Sequence, residues 1–268
     1  MDYRKIARTI RSDIVRMHFN AGASHIGSAL SCVDILVGLY FSVLKINPKN
    51  PQDKNRDRFI LSKGHAVSAL YATLAERGFF PRSRLNDYCK NGSCLVGHST
   101  KDAVPGVEVS TGSLGHGLAI GIGMAISAKY DRLKYRVFVL LSDGECNEGS
   151  VWESALFAGY HKLDNLVAII DYNKIQAFGH VKEVLDLEPL KDKWKAFGWE
   201  AREIDGHSFT EIISMLKKVP FKKNKPSLIV AHTIKGKGIS FMENRLEWHY
   251  KSPSREEYNL AMKELNSL

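Results

Sequence analysis

The sequence is poor in cysteine and has no long apolar run. Its 268 residues include four cysteines, none of them in C-x-x-C spacing. These counts exclude a disulfide scaffold and a paired-cysteine zinc site, so we expect reduced thiols in a cytoplasmic protein. No stretch approaches twenty uninterrupted apolar residues, and the amino-terminal segment MDYRKIARTIRSD is rich in charge. We therefore expect neither a membrane span nor a cleaved secretory signal.

Charge of one sign is not concentrated anywhere in the chain. The formal net charge is +9, but lysine and arginine are scattered along the sequence. A nucleic-acid-binding protein would more often show a basic stripe with stacking aromatic residues, so nucleic acid is not an expected partner. A positive field suits phosphorylated small molecules and a diphosphate cofactor equally well.

The pattern of apolar residues predicts the fold class. Hydrophobic residues make up 44% of the chain, enough for a substantial core. Short apolar runs alternate with amphipathic stretches, which favours a mostly parallel sheet covered by helices on both faces. We predict a doubly wound α/β fold in which residues 1–268 form one domain. Outside the central segment described next, strands are predicted at 58–62, 199–204 and 227–231. Helices are predicted to end near 22 and to span 33–44, 66–76, 113–128, 190–197, 208–218 and the stretch from 254. The 113–128 segment is rich in glycine, alanine and isoleucine and is expected to be a close-packed, buried helix.

The segment from Tyr135 to Gly179 carries the strongest functional signal. It reads as a strand, an Asp-Gly turn, a helix, a second strand and an Asn-X-Ile turn. A right-handed βαβ crossover brings the ends of parallel strands together, so Asp143 and Asn173 should face one crevice. Their oxygens, with a backbone carbonyl after Asn173, suit Mg²⁺ or Ca²⁺. Gly144 leaves room for a diphosphate, and the helix starting near Glu148 aims amide groups at it. An ordinary turn is the competing interpretation.

Several turns place histidines beside small residues. A single histidine of this kind is more often structural than catalytic. Five at loop positions favour a functional site, because catalytic groups concentrate on loops held by a rigid sheet. The sequence contains no H-E-x-x-H zinc motif, no G-x-x-x-x-G-K-[ST] loop and no G-x-S-x-G nucleophile turn. The five histidines are His25, His65, His98, His116 and His249.

Several segments resemble the first domain of transketolase, an enzyme that uses thiamine diphosphate. They are the central Asp-Gly and Asn-X-Ile unit and the stretches LSKGHAVSALYATLAERGFF, PGVEVSTGSLGHGLAIGIGMA, LEPLKDKWKAFGW, IDGHSF, AHTIKGKGISFMEN and WHYKSP. They occur in family order and cover nearly the whole chain. The resemblance implies a thiamine diphosphate-binding fold and an enzyme that transfers a two-carbon ketol unit from a ketose to an aldose.

The resemblance also implies how the cofactor would be held. Asp143, Asn173 and the backbone carbonyl of Ile175 would bind the metal, Mg²⁺ or Ca²⁺. The implied contacts to the diphosphate are those of His65, Gly144 and His249.

Other implied roles concern the middle of the cofactor and its surroundings. Gly112 and Leu114 would shape the central pocket, where an apolar leucine supports the bent conformation of the cofactor. Glu148 would be a buried acid at a subunit interface and a candidate catalytic residue, and Glu153 an acid near the cofactor. A glutamate at the start of a helix is also favoured by the helix dipole, and both interpretations of Glu148 can hold together.

The histidines would handle the sugar. By resemblance, His25 and His98 would face the hydroxyl groups of the donor, and His25 and His249 are candidates for proton transfer. The chain departs from the family pattern around them: Ile26 stands where proline is common and His116 where glutamine is usual. Ser99 likewise stands where proline is common, and Ser142 takes the place of the glycine that usually precedes the Asp-Gly turn. These departures put the standard sugar phosphates in doubt.

The resemblance stops where the first domain of a transketolase would end. In the family, the cofactor is activated by a glutamate on the pyrimidine-binding domain of the other subunit, and no segment of this chain resembles that domain. We therefore expect the chain to be the N-terminal subunit of a split transketolase, supplying half of each site. A separate C-terminal subunit would carry the pyrimidine-binding and third domains, in an α₂β₂ assembly.

Three alternatives remain open at the level of sequence. The chain could serve a specialised transketolase-like enzyme for an unusual sugar. It could belong to another thiamine diphosphate enzyme, such as a 1-deoxyxylulose-phosphate synthase or the α subunit of a 2-oxo acid dehydrogenase. It could also be a basic interaction module that kept the fold and lost the chemistry.

Overall fold

A parallel sheet organises the chain. The computed structural model describes residues 1–267, and within them five strands form one sheet in the order β1-β2-β3-β5-β4. Every neighbouring pair is parallel. The strands are β1 Arg58–Leu61, β2 Val137–Ser142, β3 Leu166–Tyr172, β4 Glu200–Asp205 and β5 Ser227–His232.

Helices connect the strands, as parallel pairing requires. None of those described in residues 1–267 is long and apolar enough to cross a membrane. The helices are α1 Tyr3–Ala21, α2 Ile26–Ser31, α3 Val33–Gly38, α4 Val67–Arg77, α5 Gly117–Tyr130, α6 Gly149–Tyr160, α7 Val181–Val184, α8 Leu190–Ala196, α9 Phe209–Lys217 and α10 Arg255–Ser267.

Side chains on the two faces of the sheet pack into two separate hydrophobic cores. Successive residues of a strand point to opposite faces. Along β2, Phe138 and Leu140 therefore join the core formed with α1 to α4, α9 and α10. Val139 and Leu141 join the second core, formed with α5, α6 and α8. This three-layer arrangement confirms the predicted α/β fold with helices on both faces of a parallel sheet.

Local sequence signals set several helix ends where they were predicted. The carboxylate of Asp2 accepts a hydrogen bond from the Lys5 amide at 3.0 Å and so caps the start of α1. Gly22 directly follows α1 and Gly78 directly follows α4, both in the left-handed conformation that glycine adopts at little cost. These ends confirm the predicted boundaries.

Helix α5 differs from its prediction. The segment was expected to be buried on all sides, because it is rich in glycine, alanine and isoleucine. Its inner face is indeed close-packed: a Cβ on Gly121 would lie 2.6 Å from Val139 on β2. Its outer face is exposed, however, and includes Ile120 and Ile126. The apolar residues of this helix therefore form two surfaces. One packs on the sheet, and the other is exposed.

The predicted helix over 33–44 is interrupted. Helix α3 ends at Gly38, and a π-helical turn, Leu39–Val43, completes the segment. A Cβ on Gly38 would lie 2.5 Å from Ile212 of α9, so glycine permits the close packing of these two helices.

The buried His18 predicts acid sensitivity of the fold. Its Nδ1 lies 3.0 Å from the Ala23 carbonyl and its Nε2 2.8 Å from Ser68 Oγ, and burial lowers its pKa to about 4. Because protonation then favours the unfolded chain, this stabilisation is complete above pH 6.5 and is lost as the pH falls towards 4. We expect about 2 kcal/mol lower free energy of unfolding at pH 5 than at pH 7 from this group. Urea unfolding of His18→Gln should show a correspondingly weaker pH dependence; parallel profiles for variant and wild type would contradict the assignment.

Candidate cofactor site

The predicted metal ligands meet at the carboxyl edge of β2 and β3. Ser142 pairs with Asp171 in the sheet, so Asp143 leaves β2 beside the turn that follows β3. The Asp143 carboxylate reaches this turn and accepts a hydrogen bond from the Lys174 amide at 2.6 Å. Asn173 Oδ1 accepts one from the Ile175 amide at 3.1 Å. The predicted proximity of Asp143 to the Asn-X-Ile turn is thus present in the structure.

The environment of Asp143 suits a cation. Its carboxylate is 1% exposed, and burial, followed by the nearby charge of Asp171, raises its pKa to about 6. A buried carboxylate with a neighbouring negative charge is destabilised in its ionised form. A divalent cation would relieve that cost. The carboxylate, the Asn173 amide oxygen and the Ile175 carbonyl are all hard oxygen donors of the kind that Mg²⁺ and Ca²⁺ prefer.

This donor set is mixed, since it combines one carboxylate with an amide and a backbone carbonyl. Within residues 1–267, no group of three or more histidine, cysteine, aspartate and glutamate side chains is placed to hold a metal ion. A metal at this turn would therefore need oxygens from elsewhere, as Mg²⁺ commonly obtains from water and substrate phosphates. The set fits a metal bound together with a diphosphate better than a metal bound by protein alone.

Lys235 is a site residue that the sequence reasoning did not identify. It follows β5, is 1% exposed, and its ammonium donates hydrogen bonds to the Ile175 carbonyl and to His249 Nδ1, both at 2.9 Å. Burial lowers its pKa to about 8. It lies in the segment AHTIKGKG, which resembles the family. Nothing in the local sequence pattern indicates that this lysine is buried.

A fully buried ion pair lies beneath the site. Lys63, just after β1, donates to the Asp171 carboxylate in β3 and to the Ser28 carbonyl at 2.8 Å. Ser31 and Thr233 also donate to Asp171. Burial alone would raise the pKa of Asp171, but the Lys63 ammonium holds it below its usual value. This pair, also missed from sequence, connects β3 to α2 and to the loops after β1 and β5.

Three of the five histidines form the centre of the crevice, and a fourth borders it. The ring of His25 lies 5.2 Å from that of His65, 5.1 Å from His249 and 5.9 Å from His98, centroid to centroid. Burial lowers the pKa of His25 to about 4 and of His249 to about 3, and that of His65 falls well below its usual value. These imidazoles are therefore neutral at pH 7 and can each donate and accept a hydrogen bond. Tyr250, which is exposed, lies 4.8 Å from His249 at the rim.

Glycines shape the walls of the crevice. A Cβ on Gly144 would lie 2.8 Å from the Gln176 Cβ, so the turn after β2 closes tightly over the Asn-X-Ile turn. A Cβ on Gly112, at φ +151°, would lie 3.1 Å from the His98 ring. Gly112 therefore permits the close approach of His98, and the half-buried Leu114 follows on the same loop.

Three acidic residues of the central unit differ in their burial within this chain. Glu148 occupies the N-cap position of α6 without a side-chain capping hydrogen bond, and it is exposed within this chain, as is Glu153 on the same helix. The buried acid is Glu145, which accepts hydrogen bonds from Ser62 and from the Gly115 amide, the latter at 2.9 Å. Glu145 therefore holds together the ends of β1 and β2 and the loop of Leu114.

The four departures from the family pattern do not all face the crevice. Ile26 is fully buried in the core shared by α1 to α4, so it does not face the donor side as its position next to His25 suggested. His116 is exposed and lies 3.1 Å from the Leu114 carbonyl of its own loop. Ser142 hydrogen-bonds through its amide and hydroxyl to Glu145. Ser99 is buried beside His98, and its hydroxyl has no hydrogen-bond partner among residues 1–267.

Comparison with known proteins establishes the family. A family model described as transketolase, thiamine diphosphate binding domain, matches residues 3–265. The transketolase of Leishmania mexicana superposes with a TM-score of 0.93 at 27% identity, over 99% of this chain and 41% of that protein. The transketolase of Campylobacter jejuni gives 0.92 at 32% identity, over 98% and 42%. The chain therefore belongs to the transketolase family and spans about two-fifths of the length of these enzymes.

Two relatives of similar length match this chain over nearly all of their own sequences. The chain is 45% identical to one subunit of the apulose-4-phosphate transketolase of Phocaeicola vulgatus, over 96% of this chain and 91% of the relative. It is 42% identical to SqwG, a subunit of the 6-deoxy-6-sulfo-D-fructose transketolase of a Clostridium species, over 99% and 96%. Both relatives are named as subunits, in keeping with the predicted division of the enzyme between two chains.

Proposed function

We propose that this chain is the cofactor-binding subunit of a two-chain transketolase that transfers a ketol unit from a ketose to an aldose. The observation that carries the proposal is the meeting of the Asp143 carboxylate with the Asn-X-Ile turn beside a cluster of neutral histidines. Residues 1–268 form one diphosphate-binding domain of a cytoplasmic enzyme. Asp143, Asn173 and the Ile175 carbonyl hold Mg²⁺ or Ca²⁺.

The diphosphate is held by groups around the same turn. His65 and His249 donate to its oxygens, and the turn at Gly144, where a side chain would clash with Gln176, contacts it as well. Lys235 has its ammonium on the Ile175 carbonyl, so metal binding requires it to turn from that oxygen towards the anionic diphosphate. Gly112 and Leu114 line the middle of the cofactor.

When bound, thiamine diphosphate supplies the nucleophilic carbon that accepts the two-carbon unit. The chain's own residues orient the sugar and move protons. His25 and His98 bind donor hydroxyl groups, and His25 and His249 exchange protons with the ketose. A neutral imidazole suits this work because it can take up a proton at one nitrogen and donate from the other.

The other half of the site comes from a separate C-terminal subunit, in an α₂β₂ assembly. An apolar surface is open for contact with other chains: Ile120 and Ile126 on α5 and Leu156 and Phe157 on α6 are exposed. Exposed apolar patches of this kind commonly mark protein interfaces. Glu148 and Glu153 lie at the start and on the outer face of α6, so both become interfacial when this surface is covered.

Reconstitution tests the proposal. The purified chain alone should not transfer ketol units, and neither should the C-terminal subunit; an equimolar mixture with magnesium and thiamine diphosphate should. Ketose phosphates, and not pyruvate, should serve as donors. Full activity of the chain alone would contradict the half-site, pyruvate use would indicate another thiamine diphosphate enzyme, and absence of cofactor binding by the mixture would indicate a non-catalytic module.

A specialised ketose is the second candidate, within the same chemistry. The two relatives above are named for apulose 4-phosphate and 6-deoxy-6-sulfo-D-fructose, and Ser99 and His116 depart from the common pattern near His98 and Leu114. The reconstituted enzyme should then prefer such a ketose to xylulose 5-phosphate by kcat/KM. Equal or better use of xylulose 5-phosphate with ribose 5-phosphate would remove this support.

A further inference from the structure

A buried charged cluster lies outside the crevice, on the far side of Lys235. Asp34 of α3 accepts two hydrogen bonds from the guanidinium of Arg11 on α1, at 2.9 and 2.7 Å. Asp34 Oδ2 also lies 2.7 Å from Nδ1 of His207, which follows β4. Arg11 and Asp34 are 7% and 5% exposed. The carboxylate is thus shared between one cation and one imidazole.

The outer ends of this cluster bond to the segment that carries Lys235. The Ile234 amide donates to His207 Nε2 at 2.9 Å, and Arg11 Nε donates to the Lys237 carbonyl at 3.0 Å. Because His207 Nε2 accepts from an amide, its proton is on Nδ1, which donates to Asp34. Asp34 therefore fixes the tautomer and the orientation of the imidazole that receives Ile234.

The hydrogen bonds described above hold the segment on this side. Arg11, Asp34 and His207 line a cavity of about 980 Å³ there. On the opposite side the Gly236 amide donates to the Gly27 carbonyl at 3.0 Å. The backbone around Lys235 is thereby fixed from both sides, and its side chain extends to the Ile175 carbonyl and His249.

We propose that Asp34, with Arg11 and His207, is a positioning group for the cofactor site: it holds the segment Ile234–Lys237 so that the Lys235 ammonium reaches the metal–diphosphate turn. None of the three touches the cofactor; they act through Lys235. The inference rests on the proposed function, because Lys235 has this role only if the turn binds a diphosphate. Burial alone would raise the pKa of Asp34, but the Arg11 charge together with the hydrogen bonds from His207 and Arg11 lowers it to about 2, so the carboxylate stays ionised throughout the neutral range.

The chain offers a matched control. Asp57 is 1% exposed and pairs with Arg136 at 2.6 Å, but it precedes β1 at the opposite edge of the sheet. Asp57→Asn and Asp34→Asn each remove one buried, arginine-paired negative charge. Only Asp34→Asn should loosen the segment around Lys235. His207→Ala supplies a second test, and His207→Gln a conservative one, because the amide oxygen of glutamine can accept from Ile234.

Two measurements test the proposal on the full chain with its C-terminal subunit, at a temperature where circular dichroism shows every variant folded. The first is hydrogen exchange without cofactor. The amides of Ile234–Lys237 should exchange at least about ten-fold faster in Asp34→Asn and His207→Ala than in wild type or Asp57→Asn. The second is calorimetric affinity for thiamine diphosphate with magnesium. It should fall about ten-fold or more in the same two variants, within the range seen for residues that orient ligands, and less in His207→Gln.

Each outcome decides one question. Wild-type exchange rates in both variants, or equal losses of affinity in Asp34→Asn and Asp57→Asn, would overturn the positioning role. Faster exchange with unchanged affinity would also overturn it, because the segment would then be free of any part in binding. A wild-type complex that fails to bind the cofactor would instead defeat the proposed function, whatever the exchange rates show.

Discussion

Replacement of Asp143 by asparagine should reduce the magnesium-dependent affinity for thiamine diphosphate by more than about 100-fold. Mutation of a residue that only supports a metal ligand typically lowers metal affinity 10- to 100-fold. Asp143 is proposed to be a ligand itself and the sole carboxylate of the set, so its loss should cost more. Asparagine keeps the shape of the side chain but removes the negative charge that the cation neutralises. Isothermal titration of the two-chain complex, with and without magnesium, measures the effect.

The same change should leave the fold intact. The Asp143 carboxylate is destabilised by burial and by Asp171, so its removal does not weaken the folded chain electrostatically. The carboxylate accepts hydrogen bonds from the Gly144 and Lys174 amides, and asparagine can accept only one of them. We therefore expect the urea midpoint of Asp143→Asn to stay close to that of wild type, because the lost hydrogen bond offsets the relief of the buried charge. Asp57→Asn serves again as the control and should bind the cofactor normally. Unchanged magnesium-dependent affinity in Asp143→Asn would show that the metal is held elsewhere.

Lys63→Met should be the most destabilising of the substitutions considered, at about 3–5 kcal/mol of unfolding free energy. Both partners of the Lys63–Asp171 pair have side chains with 0% exposure. Loss of the ammonium leaves an ionised carboxylate buried without its cation, which costs far more than loss of a surface pair. Urea denaturation followed by circular dichroism gives the value directly.

Two comparisons make this second prediction specific. The double variant Lys63→Met/Asp171→Asn removes the orphaned charge as well and should recover at least about half of the loss, as expected for a coupled pair. Lys129→Met breaks an ion pair with Asp164 in which the lysine side chain is 43% exposed, and should cost less than about 1 kcal/mol. A loss below about 1 kcal/mol in Lys63→Met would mean that Asp171 is neutral or hydrated in the folded chain.

The fold and the main turns of the site were predictable because they follow from local patterns. Alternating apolar runs specify a parallel sheet, and the βαβ rule then places Asp143 beside the Asn-X-Ile turn without further information. Histidines on loops at the same edge are expected to converge, and His25, His65 and His249 do so. The family resemblance added roles for them, not their positions.

The charged residues beneath the site could not be predicted in this way. Lys63 and Asp171 are 108 residues apart, and Lys235 meets a carbonyl 60 residues away. Whether a lysine is buried depends on which carboxylate or carbonyl the tertiary fold brings to it, and single lysines are usually exposed. Glu145 was overlooked for the same reason, since two of its partners, Ser62 and Gly115, lie on loops far from it in sequence.

Two predictions from sequence placed residues wrongly, and both errors have a physical cause. Ile26 was assigned to the donor side because it adjoins His25 in sequence. The first turn of α2 directs adjacent residues to different sides, so Ile26 enters the core while His25 faces the crevice. In α5, apolar residues on every face were interpreted as burial within the chain, whereas one face is open.

Anomalous diffraction from crystals of the two-chain complex, grown with thiamine diphosphate and Mn²⁺, tests the central claim most directly. The account predicts a manganese peak bonded to the Asp143 carboxylate, Asn173 Oδ1 and the Ile175 carbonyl, with diphosphate oxygens completing its shell and Lys235 turned away from Ile175. A manganese peak elsewhere, or a bound diphosphate with no metal at this turn, would contradict it.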